Sequence, residues 1–157
     1  MKAQLIFTLT LISSALLYYY LQPLPPPYEK ARAKIASILA RPGYDFGSIA
    51  PILLRLGWHS SGTYNKTDRT GGTNGGCMRF EPEISDPANN GLELARGFLE
   101  VVKKEFPEIT YADLWVLAAY VAIEQMGGPR IEFVPGRKDF KSGFTCPEFF
   151  LIFFNFF

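Results

Sequence analysis

The chain has 157 residues, a length that fits one domain of ordinary size. Its 16 Lys and Arg nearly balance its 15 Asp and Glu, which argues against a nucleic-acid-binding polycation and against an acidic disordered tail. Hydrophobic residues make up 48% and aromatic residues 15%, which is more than a disordered chain carries. Two Cys and one His, His59, exclude a disulfide framework, a zinc site of several thiolates and any mechanism that needs two imidazoles from these residues.

The chain begins with an uncharged stretch of 17 residues, 5–21, which lies between Lys2 and the proline-rich sequence QPLPPP. A helix needs about 20 apolar residues to cross a bilayer, so this stretch is marginal in length. Its three consecutive tyrosines suit a membrane interface, and no small-residue cleavage site follows it. We interpret residues 1–22 as a signal or membrane anchor, with a preference for the anchor. The chain is therefore expected to be anchored in a membrane through residues 5–21 or targeted to an organelle, either the mitochondrion or the endoplasmic reticulum.

The middle of the chain predicts four helices and no convincing strand, so the fold class is all-α. Ser48 is a plausible N-cap of the second helix, with Pro51 in the first turn, where its missing N–H costs little. Thr110 and Asp113 are typical of a capping box at the start of the fourth helix. The predicted helices span residues 28–39, 48–60, 90–106 and 110–126, and a glycine-rich loop spans residues 62–87.

The last 17 residues, 141–157, end in the apolar run FTCPEFFLIFFNFF. This run is too short to span a bilayer, and exposed on a soluble protein it would be an aggregation hazard. It is either a buried C-terminal plug or a segment that does not belong to the fold. The predicted division is therefore residues 1–22, a helical domain at 23–140 and an apolar tail at 141–157.

The second predicted helix carries the residues with the most evident chemistry. Arg55 and His59 are four residues apart, so they project from one helix face, with Trp58 beside them. The helix is otherwise apolar, so burying this pair carries a desolvation cost. Because Arg keeps its proton, its charge pushes His59 toward the neutral form that a general base needs near pH 7. Such a pair suits a reaction in which a proton leaves one atom while negative charge grows on another.

Other interpretations of this helix stay open. Arg and His at this spacing also form a solvated polar stripe on many amphipathic helices. Ser60 and Ser61 adjoin His59 in sequence, but that alone does not make a nucleophile and base pair. A single His with no second ligand at metal-binding spacing predicts no metal site, and the loop sequence GGTNGG matches neither phosphate-binding glycine pattern.

The sequence APILLRLGWHSSGT at 50–63 resembles the distal active-site signature of class I haem peroxidases, the group of cytochrome c peroxidases, ascorbate peroxidases and catalase-peroxidases. Further motifs agree in order and spacing, so the resemblance covers residues 28–139 and is specific. It implies the helical distal lobe, the N-terminal half, of an all-α haem peroxidase fold. The further motifs are Thr70-Gly71-Gly72 with Gly75-Gly76, Met78-Arg79-Phe80, DPANNGL at 86–92, Glu105-Phe106-Pro107, Tyr111-Ala112-Asp113-Leu114, and Gly127-Gly128-Pro129 through Pro135-Gly136-Arg137-Lys138-Asp139.

This resemblance implies a catalytic role for four residues. His59 would accept a proton from haem-bound hydrogen peroxide and return it to the departing oxygen as water forms, while Arg55 would stabilise the charge that develops. Trp58 would lie over the face of haem b, and Arg55 and Trp58 would be its contacts here. Asn89 would accept a hydrogen bond from the other nitrogen of His59 and fix its tautomer. The alternatives are that Asn89 is a helix N-cap and that Trp58 is plain core packing.

The implied function is reduction of hydrogen peroxide, with cytochrome c or ascorbate as electron donor, in response to oxidative stress. In this family a proximal His in the second half of the fold holds the iron, and His59 cannot be both the distal base and that ligand. The resemblance therefore implies no metal ligand in this chain. We expect the chain as written not to hold haem in the family manner and to have little or no peroxidase activity. We accordingly interpret residues 141–157 as unrelated to the fold.

The electron donor and two further alternatives stay open. Ascorbate-type members carry a Lys and a Cys just before the distal helix, whereas this chain has Gly47-Ser48-Ile49. The sequences TGGTNGG and MRFEPE slightly favour the cytochrome c type or a hybrid form. The chain could instead be a non-catalytic, membrane-tethered helical fragment, or a module that binds a small anion beside Arg55 and His59. No nucleic-acid partner is expected. The sequon Asn65-Lys66-Thr67 would carry sugar if the chain entered the secretory lumen.

Overall fold

The computed structural model describes residues 26–146, and the predicted membrane segment at 5–21 lies outside the described residues. Within that part of the chain, strand pairing is limited to isolated bridges, and the all-α fold class is confirmed. No helix between residues 26 and 146 combines the length and the apolar character needed to cross a membrane. The four α-helices are α1 (Pro26–Ile38), α2 (Ala50–Ser61), α3 (Leu92–Glu105) and α4 (Tyr111–Gln125).

Helix α2 begins two residues later than predicted, and Ser48 is not its N-cap. Ser48 is extended, because the chain there pairs with the end of α1, where the Ile49 N–H donates to Leu39 O at 2.9 Å. Ile49 therefore takes the N-cap position. The Ser48 hydroxyl oxygen still accepts a hydrogen bond from the Ala50 N–H at 3.1 Å, and Pro51 lies in the first turn as predicted.

Half of the capping box predicted for α4 is present. Thr110 is the N-cap, and its Oγ1 accepts a hydrogen bond from the Asp113 N–H at 3.1 Å. The other half is wrong, because the buried Asp113 carboxylate has stronger partners elsewhere. It accepts from the Tyr28 hydroxyl at 2.7 Å, from the Gly136 N–H at 2.8 Å and from the Arg137 guanidinium at 2.9 Å. Asp113 thus ties α1 and the segment after α4 to the start of α4.

Asp139 completes the N-terminus of α4. Its carboxylate accepts hydrogen bonds from the backbone N–H groups of Tyr111, at 2.8 Å, and Ala112, at 3.0 Å. A negative charge at this end of a helix is favourable, because the first N–H groups lack partners within the helix. Arg79 lies 4.0 Å from the same carboxylate, so Asp139 also connects α4 to the loop before α3.

The core lies where α2 packs against α4, with α1 and α3 alongside. Gly57 permits the close approach of α2 to α4, since a Cβ at this position would overlap the Cβ of Ala119. Leu53 and Leu56 are fully buried on the same side of α2. Arg55, on the opposite side of α2, consequently faces away from the core. Fully buried large side chains come from all four helices: Ile35, Leu53, Leu56, Leu92, Leu99, Leu114, Trp115 and Leu117.

Candidate active site

The outer face of α2 presents Arg55, Trp58 and His59 together. Arg55 and His59 are half-buried, while the Trp58 side chain, the largest apolar group on this face, is 62% exposed. Trp58 is therefore not core packing, which excludes that alternative. These three side chains lie together because the helical period that buries Leu53 and Leu56 directs them outward.

Asn89 faces the imidazole from a short 3-10 turn, Pro87–Asn89, and it is only 2% exposed. Its Oδ1 lies 3.0 Å from His59 Nδ1, and its Nδ2 donates to Glu83 O at 2.9 Å. The carbonyl of Glu83 fixes the orientation of the amide, because only the NH2 end of Asn89 can donate to it. The oxygen that faces His59 can only accept, so Nδ1 carries the proton and the lone pair of the neutral ring is on Nε2.

Asn89 is not a helix N-cap, so that alternative is wrong. Gly91 occupies the N-cap position of α3, and its positive φ of 85° explains why a glycine stands there. The chain leaves the turn Pro87–Asn89 and enters α3 only after Asn90. Asn89 is therefore available to contact α2 rather than the start of α3.

The guanidinium of Arg55 is held by the same short segment of chain. Nη1 donates to Asn90 O at 2.9 Å, and Nη2 donates to Ala88 O at 2.8 Å. Arg55 and His59 are therefore both held against residues 88–90 by side-chain contacts of defined geometry. A solvated polar stripe would lack such fixed partners, so this arrangement does not support that alternative.

Three influences act on the protonation of His59. Burial lowers its pKa below the ordinary value of 6.5, and the charge of Arg55 lowers it further, while the hydrogen bond to Asn89 opposes both. The net direction is downward, toward a neutral ring at pH 7. The sequence argument predicted this direction from the charge of Arg55, but burial makes the larger contribution.

Glu83 is a buried acidic residue in the loop that orients Asn89, and sequence reasoning missed it. The residue is 4% exposed, and burial, together with the nearby charge of Asp86, raises its pKa to about 7. Its backbone carbonyl is the acceptor that orients Asn89. No local motif marks Glu83, because what distinguishes it is its burial in the folded loop, which the sequence pattern does not show.

The two serines beside His59 are directed elsewhere. The Ser60 and Ser61 hydroxyls both donate to Gly57 O, at 3.2 Å and 2.7 Å. Such back-bonding to the preceding turn is typical of Ser within a helix. Neither hydroxyl is therefore aligned with His59 as a nucleophile.

A groove of about 240 Å³ lies between α2 and α4, next to this site. Its walls are mainly apolar, with Leu54 and Trp58 on α2 facing Ala119, Tyr120 and Ile123 on α4. Trp58 thus borders both the groove and the polar pair. The face of α2 outside the core combines an apolar surface with one guanidinium and one imidazole.

Comparison with known proteins identifies the family. The sequence model of the family described as Peroxidase matches residues 31–148, so this chain belongs to the peroxidase family. The matched range includes residues 141–148, which the sequence analysis assigned to the tail, and the division at 140 stays a prediction.

Fungal peroxidases resemble this chain over most of its length. A Yarrowia lipolytica protein, provisionally named a mitochondrial cytochrome c peroxidase, is 58% identical over 120 residues, which are 76% of this chain and 42% of that protein. A mitochondrial cytochrome c peroxidase of Cryptococcus neoformans is 55% identical over 121 residues, 77% of this chain and 32% of that protein. A Gibberella zeae protein, provisionally named a heme-binding peroxidase, is 54% identical over 123 residues, 78% of this chain and 37% of that protein. The chain thus spans about a third to two-fifths of the length of these relatives.

Proposed function

We propose that this chain forms the peroxide-handling, distal side of a haem peroxidase active site of the cytochrome c peroxidase type. The observation that carries the proposal is the shared anchoring of Arg55 and His59. Both side chains leave one face of α2, and both are held by the segment 88–90, His59 through Asn89. The fungal relatives named as cytochrome c peroxidases add support from their similarity over the same region.

The residues on this face fit one side of a haem group. A porphyrin is flat, mostly apolar and carries anionic propionates, so it needs an apolar wall and nearby cations. The exposed indole of Trp58 offers the wall, and the guanidinium of Arg55 offers a charge on the same side. When bound, haem b supplies the redox-active iron that takes two oxidising equivalents from peroxide.

His59 is proposed to move the proton during peroxide cleavage. Its Nε2 would accept a proton from one oxygen of the peroxide and return it to the other oxygen, which leaves as water. A neutral ring is required for the first step, and the lowered pKa of His59 favours that form at pH 7. Arg55 stabilises the negative charge that grows on the departing oxygen before the proton arrives.

Asn89 and Trp58 are proposed to support this step. Asn89 is a positioning residue, because its Oδ1 holds the proton on Nδ1 and so keeps Nε2 as the acceptor. Trp58 would stack on the porphyrin face and direct its indole N–H toward the reacting oxygen. Each role uses the donor or acceptor that the side chain has.

The complete reaction would consume one hydrogen peroxide, two electrons and two protons and give two waters. We propose that cytochrome c, a one-electron donor, is oxidised twice per cycle, because the relatives named for their donor are cytochrome c peroxidases. Removal of peroxide in this way would serve in the response to oxidative stress. The mitochondrial names of these relatives favour the mitochondrion as the target organelle.

The 157 residues by themselves are proposed to have little or no peroxidase activity. They contain one imidazole, and a nitrogen that ligates iron has used the lone pair that a base needs. Turnover would therefore require a ligand for the iron from outside these residues. The same argument predicts that added imidazole can supply the missing ligand.

The test is peroxide consumption by the full chain loaded with haem, with and without added imidazole. We expect no turnover without imidazole and measurable turnover with it. His59→Ala should lower the imidazole-supported rate about 100-fold or more, as expected for loss of a general acid and base. Ser60→Ala is the matched control on the same helix, and it should leave the rate unchanged.

Two results would contradict the proposal. Equal imidazole-supported rates for the wild type and His59→Ala would remove the role of His59. A haem absorption spectrum that requires His59 as the iron ligand would show that the imidazole is not the distal base.

The organelle is tested separately by the mass of the native protein. A mitochondrial chain should carry an unmodified Asn65, whereas a glycan on Asn65 would mean passage through the secretory lumen.

A further inference from the structure

The two cysteines of the chain, far apart in sequence, are joined in the structure. Cys77 and Cys146 form a disulfide across a sequence separation of 69 residues, with their Cα atoms 5.8 Å apart. Cys77 is 6% exposed and begins the 3-10 turn Cys77–Arg79, whereas Cys146 is half-buried. Because the sequence has only these two cysteines, neither has another partner within the chain.

The disulfide holds a segment that has few other bonds to the fold. We name residues 141–146 the C-terminal strap. Within the described residues, the hydrogen bonds of the strap are internal, from Cys146 N to Gly143 O and from Thr145 Oγ1 to Ser142 O. Among the described residues, the strap otherwise touches the loop between α2 and α3 by packing, where Gly143 lies against the carbonyl of Glu81.

The residues just before the strap are held quite differently. Gly75 exchanges two backbone hydrogen bonds with this segment, one from its N–H to Lys138 O and one to its carbonyl from the Phe140 N–H. Arg79 Nη2 donates to Phe140 O at 2.9 Å, and Lys138 N donates to Asn74 Oδ1 at 2.8 Å. Residues 138–140 would therefore stay in place without the disulfide, while the strap would not.

The same disulfide lies at the start of the loop that supports the candidate site. From Cys77 the chain runs through two further 3-10 turns, Glu83–Ser85 and Pro87–Asn89. Glu83 O orients Asn89, and Asn89 contacts His59. A constraint at Cys77 is thus connected, through a dozen residues of loop, to the group that fixes the tautomer of His59.

We propose that Cys77–Cys146 is a redox latch that fastens the strap to this loop and is opened by a dithiol reductant. A thiolate of the dithiol attacks the sulfur of Cys146, the less buried partner, and Cys77 leaves as a thiolate. The second thiol of the dithiol then attacks the mixed disulfide and releases Cys146. Two electrons and two protons pass from the dithiol, which becomes a disulfide, and the chain gains two thiols.

Opening the latch releases the strap and loosens the loop 80–89 without disturbing the helices. The core contacts of α2 and α4 do not involve either cysteine, so the helices have no reason to melt. An effect of the disulfide on peroxide chemistry, passed on through Asn89, rests on the proposed function, whereas the latch itself does not. The latch is therefore tested without haem or peroxide.

The experiment is hydrogen exchange, read by mass spectrometry, on the full chain purified with its thiols blocked at lysis. One sample is left oxidised and the other is reduced with dithiothreitol before measurement. We expect no free thiol in the oxidised sample and two in the reduced sample. Reduction should speed amide exchange about 10-fold or more in peptides from 80–89 and 141–146, with exchange in α4 unchanged.

Cys146→Ser is the matched control, because it cannot form the latch. It should exchange like the reduced wild type, and dithiothreitol should have no further effect on it. Two free thiols in the oxidised sample, or unchanged exchange in both peptides after reduction, would overturn the proposal. Loss of helical circular dichroism on reduction would also overturn it, since the disulfide would then be a requirement of the fold rather than a latch.

Discussion

Helices α2 and α4 and the loop between α2 and α3 are built on different physical principles, and the candidate site needs both. The two helices are held by buried apolar side chains and by the close approach at Gly57. The loop is held by hydrogen bonds, by a disulfide and by turns in which glycines adopt positive φ. Helix α2 contributes Arg55, Trp58 and His59, and the loop contributes the groups that orient them.

This difference separates the reactive side chains on α2 from the loop groups that orient them. A helix positions side chains by its period alone, so Arg55 and His59 share a face whatever else the chain does. Their orientation, however, depends on Asn89 and on the carbonyls of residues 88 and 90. Damage to the loop should therefore change the chemistry of His59 before it changes the fold, and damage to the helices should do the reverse.

The largest effect on the helical region is expected from Asp113→Ala. This substitution leaves the guanidinium of Arg137 without its carboxylate and removes the acceptor of the Tyr28 hydroxyl. Loss of one partner of a buried ion pair costs about 3–5 kcal/mol. Urea unfolding followed by circular dichroism would measure this loss. Tyr28→Phe, which removes a single hydrogen bond to the same carboxylate, should cost only about 1–2 kcal/mol, and equal losses for the two variants would contradict the account.

The loop region should give a pH-dependent effect through Glu83. Its folded-state pKa of about 7 lies above the ordinary value of 4.5, so the folded state binds the proton more tightly. That contribution to stability is present below pH 4.5 and is lost as the pH rises through 7. The free energy of unfolding of Glu83→Gln, taken relative to the wild type, should therefore be greater at pH 8 than at pH 4. The expected difference is about 3 kcal/mol, at roughly 1.4 kcal/mol per pKa unit.

Urea unfolding of the wild type and Glu83→Gln at both pH values provides the measurement. Glu81→Gln, a change at an exposed carboxylate of the same loop, is the control and should give no comparable gain. A Glu83→Gln effect that is the same at pH 4 and pH 8 would mean that Glu83 is not held protonated in the fold.

A smaller effect should separate two glycines that both lie in helices. Gly57→Ala places a methyl group against Ala119 and should destabilise the fold by about 1–3 kcal/mol. Gly97→Ala, on α3, meets no atom within 4 Å and should stabilise the fold by about 0.5–1 kcal/mol. Thermal unfolding of both variants should move the melting temperature in opposite directions. A stabilised Gly57→Ala would contradict the close contact of α2 with α4.

The sequence predicted the helices well because their signals are local. All four lie within two residues of the predicted bounds, since apolar spacing and Pro or Gly breaks are written into each segment. Thr110 was predicted as a cap from residues three positions apart, and it is one. The shared face of Arg55 and His59 follows from the same local period.

The contacts that stabilise the helix ends and orient the reactive side chains could not be predicted in this way, because they join residues distant in sequence. Asp113 was assigned to a local capping box but binds residues more than 20 positions away. The cap that Asp139 places on α4 joins residues 27 and 28 positions apart, so it has no local signature. Asn89 was identified through the family resemblance, because nothing in its own neighbourhood distinguishes a contact with His59 from an N-cap.

The central claim is that burial and Arg55 keep His59 neutral, while Asn89 of the loop holds its proton on Nδ1. A nitrogen-15 NMR titration tests this directly, because His59 is the one His of the chain and its signals need no assignment. The account predicts a protonated Nδ1 at pH 7, a pKa below 6.5, and a further fall of that pKa in Asn89→Ala, which removes the hydrogen bond that raises it. A proton on Nε2 at pH 7, or a pKa above 6.5 in the wild type, would contradict it.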